Sequence, residues 1–205
     1  MNSVHRTVIS WSAGKDACLA LLLAREAGLD VVTFLTMLDP DGSSKSHALP
    51  RDLVDAQVRA PGGRWLPVEA AADDYAAVFA AALDALRAEG HTRVVFGDID
   101  LQAHRDWLEP MCALAGLEAV FPLWHRARAS IAREIIDRGI RARVVCVDTR
   151  WLDASFCGVE YDDALLARLP AGVCPCGEGG EFHTFVHEAP GFERPKKRLK
   201  CAKEE

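Results

Sequence analysis

Alternating short strands and helices predict an α/β fold: a Rossmann-like, mostly parallel sheet with helices on both faces and a small carboxyl-terminal appendage. Three observations carry this. Apolar runs rich in branched residues recur along the chain, helical stripes separate them, and the turn Ser12-Ala13-Gly14-Lys15-Asp16-Ala17 stands between the first strand and the first helix. Thr7-Val8-Ile9-Ser10-Trp11 reads as a buried strand. Cys18 to Ala24 reads as a buried helix ended by Gly28. Val31 to Met37 is a second buried strand, closed by the turn Asp39-Pro40-Asp41-Gly42.

Leu49, Leu53, Gln57 and Val58 give a modest helical stripe, and Trp65-Leu66-Pro67-Val68 a weak third strand. Tyr75, Val78, Phe79, Ala82, Leu83 and Leu86 recur at helical spacing, with Gly90 just past the end. Val94-Val95-Phe96-Gly97 is the fourth strand, and Trp107, Leu108, Met111, Cys112 and Ala115 mark the next helix. Ala119-Val120-Phe121, a helix through Ile131, Ile135 and Ile136, and Val144-Val145-Cys146-Val147 complete the alternation. In such a sheet, ligands bind at the carboxyl ends of the strands. The polar residues after each strand are therefore expected in one pocket: Ser12 to Asp16, Asp39, Gly97-Asp98-Ile99-Asp100 and Asp148.

The 205 residues suffice for one sizeable core. The expected division is an α/β domain over 1–169, a substrate-side segment over 170–195, where Gly, Pro, Cys and Glu dominate, and a polar tail over 196–205. No run approaches the roughly 18 apolar residues of a membrane span, no export signal is seen in Met1 to Arg6, and seven cysteines, an odd number, suggest reduced thiols. Cytoplasmic localisation follows as an expectation. A net charge of −6 opposes nucleic-acid binding, and Lys196-Lys197-Arg198-Leu199-Lys200 reads as a solvated terminus.

The turn after the first strand has the makings of an anion site. Backbone N–H groups at a helix N-terminus are unpaired, the helix dipole adds partial positive charge, and Lys15 is expected to add a full one. It is not the common phosphate loop, since Ile9 stands where that loop has glycine and Asp16 where it has Ser or Thr. A second constellation lies in Cys174-Pro175-Cys176-Gly177-Glu178-Gly179-Gly180-Glu181-Phe182-His183-Thr184-Phe185-Val186-His187. A flexible Glu-Gly-Gly-Glu is costly to order, so its two carboxylates suggest a site. From Glu181 onward the alternation reads as a strand with Glu181, His183, Phe185 and His187 on one face. Cys174, Cys176, His183 and His187 also make a tetrahedral zinc set, at a cysteine spacing short for a finger.

Taken together, these segments resemble the diphthine-ammonia ligase family of ATP pyrophosphatases, within the adenine-nucleotide alpha-hydrolase superfamily. There a Ser-Gly-Gly-Lys-Asp-Ser loop is paired with a carboxyl-terminal Glu-x-x-Glu-aromatic segment. The likeness runs through Ser12 to Ala17, His47, Gly97-Asp98-Ile99 with Arg105 and Glu109, Pro122-Leu123-Trp124, and Gly177 to Thr184. Ala13 and Ala17 depart from the loop's glycine and serine, and His183 stands where the ligases acting on the translation factor place an acid. Bacterial relatives look like this chain, and for them the acid substrate is open.

The resemblance implies an ATP-dependent, AMP-forming carbon–nitrogen ligase. A substrate carboxylate is adenylated with release of pyrophosphate, and ammonia or an amine then displaces AMP. It implies ATP and Mg2+, with nucleotide contacts at Ser10, Ser12, Ala13, Gly14, Lys15, Asp16, Ala17, His47, Gly97, Asp98 and Trp124, and magnesium on Asp16 and Asp98. Lys15, Asp16, Glu178, Glu181 and His183 are the catalytic candidates. Plainer roles are open for four positions: His47 as a solvated loop residue, Trp124 in the core, Asp98 as a helix cap, and Arg105 with Glu109 as a surface pair. A homodimer is left open. So are a non-catalytic nucleotide-binding regulator and a tRNA-modifying pyrophosphatase.

Overall fold

The computed structural model describes residues 6–45, 47 and 49–192. The basic cluster at 196–200 lies outside them. Five parallel strands form the main sheet in the order β3-β2-β1-β4-β5. They are β1 (Arg6–Ser10), β2 (Asp30–Leu38), β3 (Arg64–Glu69), β4 (His91–Val95) and β5 (Glu118–Val120). Helix α1 (Lys15–Glu26) follows β1, α2 (Arg51–Val58) follows β2, α3 (Tyr75–Ala88) follows β3, α4 (Gln102–Leu114) follows β4, and α5 (Arg128–Asp137) follows β5.

Strands buried on both faces explain the continuous apolar runs seen in the sequence. On one face Ile9, Phe34 and Val95 pack with α1, α2 and α5; on the other Val8, Leu35 and Val94 pack with α3 and α4. The chain adds β2 and β3 on one side of β1 and then crosses to place β4 on the other. Strand order therefore reverses between β1 and β4, the place where open α/β sheets hold ligands.

The expectation for Val144–Val147 needs correction. Strand β6 (Arg141–Val147) does not extend the parallel sheet; it pairs antiparallel with β7 (Phe182–Glu188) in a separate two-stranded sheet. The local pattern of β6 suits either neighbour, and the tail strand is the one that reaches it. Asp148 accordingly sits away from the sheet's carboxyl edge and pairs with Arg150 on the surface, while Asp39 pairs with Lys45 at 2.6 Å. Neither lines the central pocket.

The second sheet is sewn to the first at the turn after β1. Val186 donates its N–H to the Ala13 carbonyl at 2.9 Å, and Thr184 Oγ1 accepts from Lys15 N–H at 3.2 Å. Gln57 on α2, 7% exposed, completes the junction. Its Oε1 accepts from Trp11 Nε1 at 2.9 Å, and its Nε2 donates to the carbonyls of Ala13 at 3.0 Å and Val186 at 2.6 Å. Replacing it strands several buried polar groups, each costing about 1 to 3 kcal/mol unless water enters. Gln57→Leu is expected to lower stability by about 2 to 4 kcal/mol in urea unfolding; a change under ~0.5 kcal/mol would mean that the junction carries little of the fold.

Candidate functional site

A cavity of about 930 Å3 opens where the strand order reverses. One end is built by the turn after β1 and the first turn of α1, with Ser10, Ser12, Lys15, Asp16 and Ala17 in its wall. Gly14 precedes α1 in an extended conformation with no side-chain cap, so the first-turn N–H groups depend on other partners. Two glycines allow this packing. A Cβ on Gly14 would stand 2.5 Å from His47 Cε1, and one on Gly97 2.9 Å from Ala17 N, so the loop after β4 touches the start of α1 only because residue 97 is glycine. Ala13 takes φ 66°, a left-handed conformation that suits the glycine it replaces in the family pattern.

The tail supplies the roof. Cys176 to Gly180 and Phe182 to Thr184 line the same cavity as Asp16, which brings the two sequence constellations together. Glu178 points in, its Oε1 accepting from Ile99 N–H at 3.1 Å. Burial, with the nearby Asp16 and Asp98 carboxylates adding to it, raises the Glu178 pKa to about 7, against the opposing bond from Ile99. Such a group exchanges a proton near neutrality.

Glu181 takes a different place from the one expected. It is 7% exposed, does not line the cavity, and spends both carboxylate oxygens on backbone N–H groups: Cys174 at 3.1 Å and Gly179 at 2.9 Å. It clasps the loop from within. His183 does reach the cavity, and its ring lies 4.8 Å from that of His47. Burial holds both imidazoles neutral, with Lys15 assisting; His47, which also has His183 beside it, falls to about 3. His47 is thus a packed wall residue rather than a solvated one, and its buried Nδ1 has no hydrogen-bond partner among the described residues.

Lys15 also departs from expectation. The residue is 2% exposed, and its ammonium donates to Asp16 Oδ2 at 2.8 Å and to the Cys176 carbonyl, with the rings of Tyr161 and Phe182 at 5.3 and 5.2 Å. Asp98 does not cap α4; its Oδ1 takes His104 Nδ1 at 2.9 Å. Trp124 does not line the cavity, because its ring is engaged by the Arg105 guanidinium at 4.7 Å and the His125 ring at 5.0 Å. Arg105 also pairs with Glu109 at 2.7 Å. His187 pairs with Glu160, and no cluster of three or more metal-binding side chains occurs among the described residues. The zinc set is therefore not assembled.

The far end of the cavity was not anticipated. Tyr75 and Phe79 of α3, Phe96 after β4 and Trp107 of α4 form an aromatic wall, with Tyr75–Phe79 rings 6.1 Å apart and Phe79–Trp107 rings 5.2 Å apart. In the sequence these residues are indistinguishable from helix core. Their position only becomes visible once α3 and α4 converge beside the strand-order reversal.

One side chain could take a hard cation here. Asp16 Oδ1 is buried without a partner while Oδ2 holds Lys15, which leaves a carboxylate oxygen at the α1 N-terminus free for a hard cation. Among the described residues no group of three or more metal-binding side chains surrounds it, so a cation here would draw its remaining coordination from water and ligand oxygens.

Comparison with known proteins agrees with this architecture. A family model described as the diphthamide synthase N-terminal domain matches residues 5–119, and one described as its C-terminal domain matches residues 127–205. Diphthine–ammonia ligase of Homo sapiens is 33% identical over 92 residues, covering 42% of this chain and 34% of that protein. The enzyme of Mus musculus is 33% identical over 106 residues, covering 49% and 40%. The chain thus spans between a third and two-fifths of these relatives. A crystal structure described as a predicted subunit of tRNA methyltransferase from Methanocaldococcus jannaschii superposes with TM-score 0.50 at 15% identity, over 95% of this chain and 100% of that one, a likeness of fold.

The raised pKa of Glu178 has a sign that can be checked. The folded state binds this proton more tightly than the unfolded state, so the stabilisation is complete at pH below about 4.5 and is lost as pH rises through about 7. Glu178→Gln is expected to match the parent protein at pH 4 and to exceed it at pH 8 by roughly 1 to 2 kcal/mol, once partial solvent exposure is allowed for. Equal pH dependence of unfolding in both proteins would refute the shift.

Proposed function

The chain belongs to the diphthamide synthase family, and from that membership we propose that it is an ATP-dependent ligase that adenylates a carboxylate and then forms an amide. The observation that supports this most is that the first turn of α1 and the Glu178 carboxylate face one cavity. The turn suits phosphate, and the carboxylate in the roof above it suits a reacting nitrogen. The substrate carboxylate attacks the α-phosphorus of ATP, forming an oxygen–phosphorus bond as the bond to pyrophosphate breaks. The amine then attacks the acyl carbon, and AMP leaves with the bonding electron pair.

In this reading the N–H groups opening α1 and the hydroxyls of Ser10 and Ser12 meet the phosphate charge as it shifts towards the leaving group. Asp16, helped by Asp98, would hold magnesium, whose charge would offset that of phosphate oxygens. Glu178 takes the proton lost by the attacking nitrogen, a role for which a carboxylate near neutral pKa is suited. His183 and His47, both uncharged, wall the phosphate end without adding repulsion or attraction. The aromatic wall offers a stacking face for a planar or apolar part of a substrate. All six cysteines among the described residues are free thiols, which supports work in a reducing cytoplasm.

Incubation with ATP, magnesium, ammonium and a panel of carboxylic acids is expected to yield AMP and pyrophosphate in equal amounts. ADP with orthophosphate would overturn the reading, and ATP binding without turnover in any mixture would favour a nucleotide-responsive regulator. Glu178→Gln is expected to keep ATP affinity while slowing amide formation about 100- to 10,000-fold, the usual range for a lost general base.

A further inference from the structure

We propose that the Lys15 ammonium is a latch that fastens the 174–181 loop over the cavity, and that it does not clamp phosphate. Lys15 stands in the phosphate-binding turn and in the cavity wall, but its ammonium is already engaged by the loop. The ammonium meets Asp16 Oδ2, the Cys176 carbonyl and the faces of Tyr161 and Phe182, and the residue is 2% exposed. Two hydrogen bonds and two rings surround it. Phosphate would have to break this buried set to reach the charge, a cost that the N–H groups of the same turn do not impose.

The loop is anchored in the core by Cys174 and Cys176, and polar contacts fix the rest of it. Glu181 closes the loop on itself through Cys174 N–H and Gly179 N–H, and Tyr161 donates its hydroxyl to the Pro175 carbonyl at 2.7 Å. Cys176 donates its thiol to the Arg128 carbonyl at 3.2 Å, and Glu178 reaches Ile99 N–H. Lys15 ties this closed loop to α1, so the residue that starts the phosphate-binding helix also sets where Glu178 stands. Lys15 and Glu181 are positioning residues that act through Glu178.

Two measurements test the latch. The inference uses the ligase reading only in taking ATP as the probe. Amine footprinting of the wild-type protein with acetic anhydride, read by mass spectrometry, is expected to leave Lys15 unmodified with and without ATP and magnesium. Lys15→Met, whose thioether packs on Tyr161 and Phe182, is expected to bind ATP within about threefold of wild type. The same variant should alkylate at Cys174 and Cys176 at least tenfold faster, while Cys18 and Cys112 in the helices stay protected. Both thiols are buried in the closed loop, Cys174 Sγ accepting from Cys176 N–H at 3.4 Å and Cys176 Sγ donating to the Arg128 carbonyl, so alkylation reports the loop's release.

Ready acetylation of Lys15 that ATP suppresses would overturn the proposal. So would a Lys15→Met protein that binds ATP roughly 10- to 100-fold more weakly, the loss expected for one charge-assisted bond, with both loop thiols still shielded. If that variant fails to fold, footprinting of the wild type decides. Absence of ATP binding by the wild type would strike the ligase reading alone and leave the footprint as the test of the latch.

Discussion

Buried polar backbone at the turn after β1 is the constraint from which the rest of the molecule follows. A turn that offers N–H groups to an anion cannot also satisfy all its own carbonyls, and the interior has no bulk water to do so. The Ala13 carbonyl takes two donors from elsewhere, Val186 N–H and Gln57 Nε2, and Lys15 N–H takes the Thr184 hydroxyl. The carboxyl-terminal strand is therefore part of the binding turn, although 169 residues separate Lys15 from Thr184. Removing the tail would leave the turn both exposed and unsupported.

Much of this was legible before any coordinates. The inner strands β1, β2 and β4 were announced by short apolar runs, because strands covered on both faces carry no polar alternation to confuse the signal, while the half-exposed edge strands β3 and β5 gave weaker runs. The convergence of the Lys15-Asp16 turn with the Glu178 loop was expected too, from the family resemblance that pairs the two motifs. What escaped has a common cause. Whether β6 joins the parallel sheet or the tail depends on the partner that arrives, and a strand's sequence reports its burial rather than its neighbour. Tyr75, Phe79 and Trp107 follow core spacing and pack as core residues do, so their exposure to a cavity is set by where two helices part. Glu178 and Glu181 are equivalent in the sequence, and only the direction of the loop makes one face the cavity and the other its own backbone.

Charge arrangement in the cavity follows from the same geometry. Asp16, Asp98 and Glu178 bring negative charge towards a site that is proposed to take a polyanion, and the one lysine in the turn already has its ammonium on Asp16 Oδ2 and the Cys176 carbonyl. The conflict is reduced at Glu178, which is held at a pKa of about 7 by burial and by its carboxylate neighbours, so it carries its proton part of the time. His47 and His183 are kept uncharged and neither add to the conflict nor relieve it. The remaining attraction lies in fixed backbone dipoles and in whatever cation Asp16 Oδ1 accepts, both of which act without side-chain rearrangement.

The alanines in the turn fit this picture better than they fit a damaged site. At φ 66° Ala13 costs on the order of 1 kcal/mol relative to glycine, but its fully buried methyl group returns about 0.8 kcal/mol. The left-handed conformation is held from outside by the two donors on its carbonyl, so it does not depend on glycine's freedom. Ala17 is also buried, against the loop that Gly97 lets approach, and a hydroxyl there would need a partner that a methyl does not. Both substitutions exchange polar or flexible residues for packing at a turn already fixed by Gln57 and β7. The backbone cradle survives because its shape is imposed by the tail.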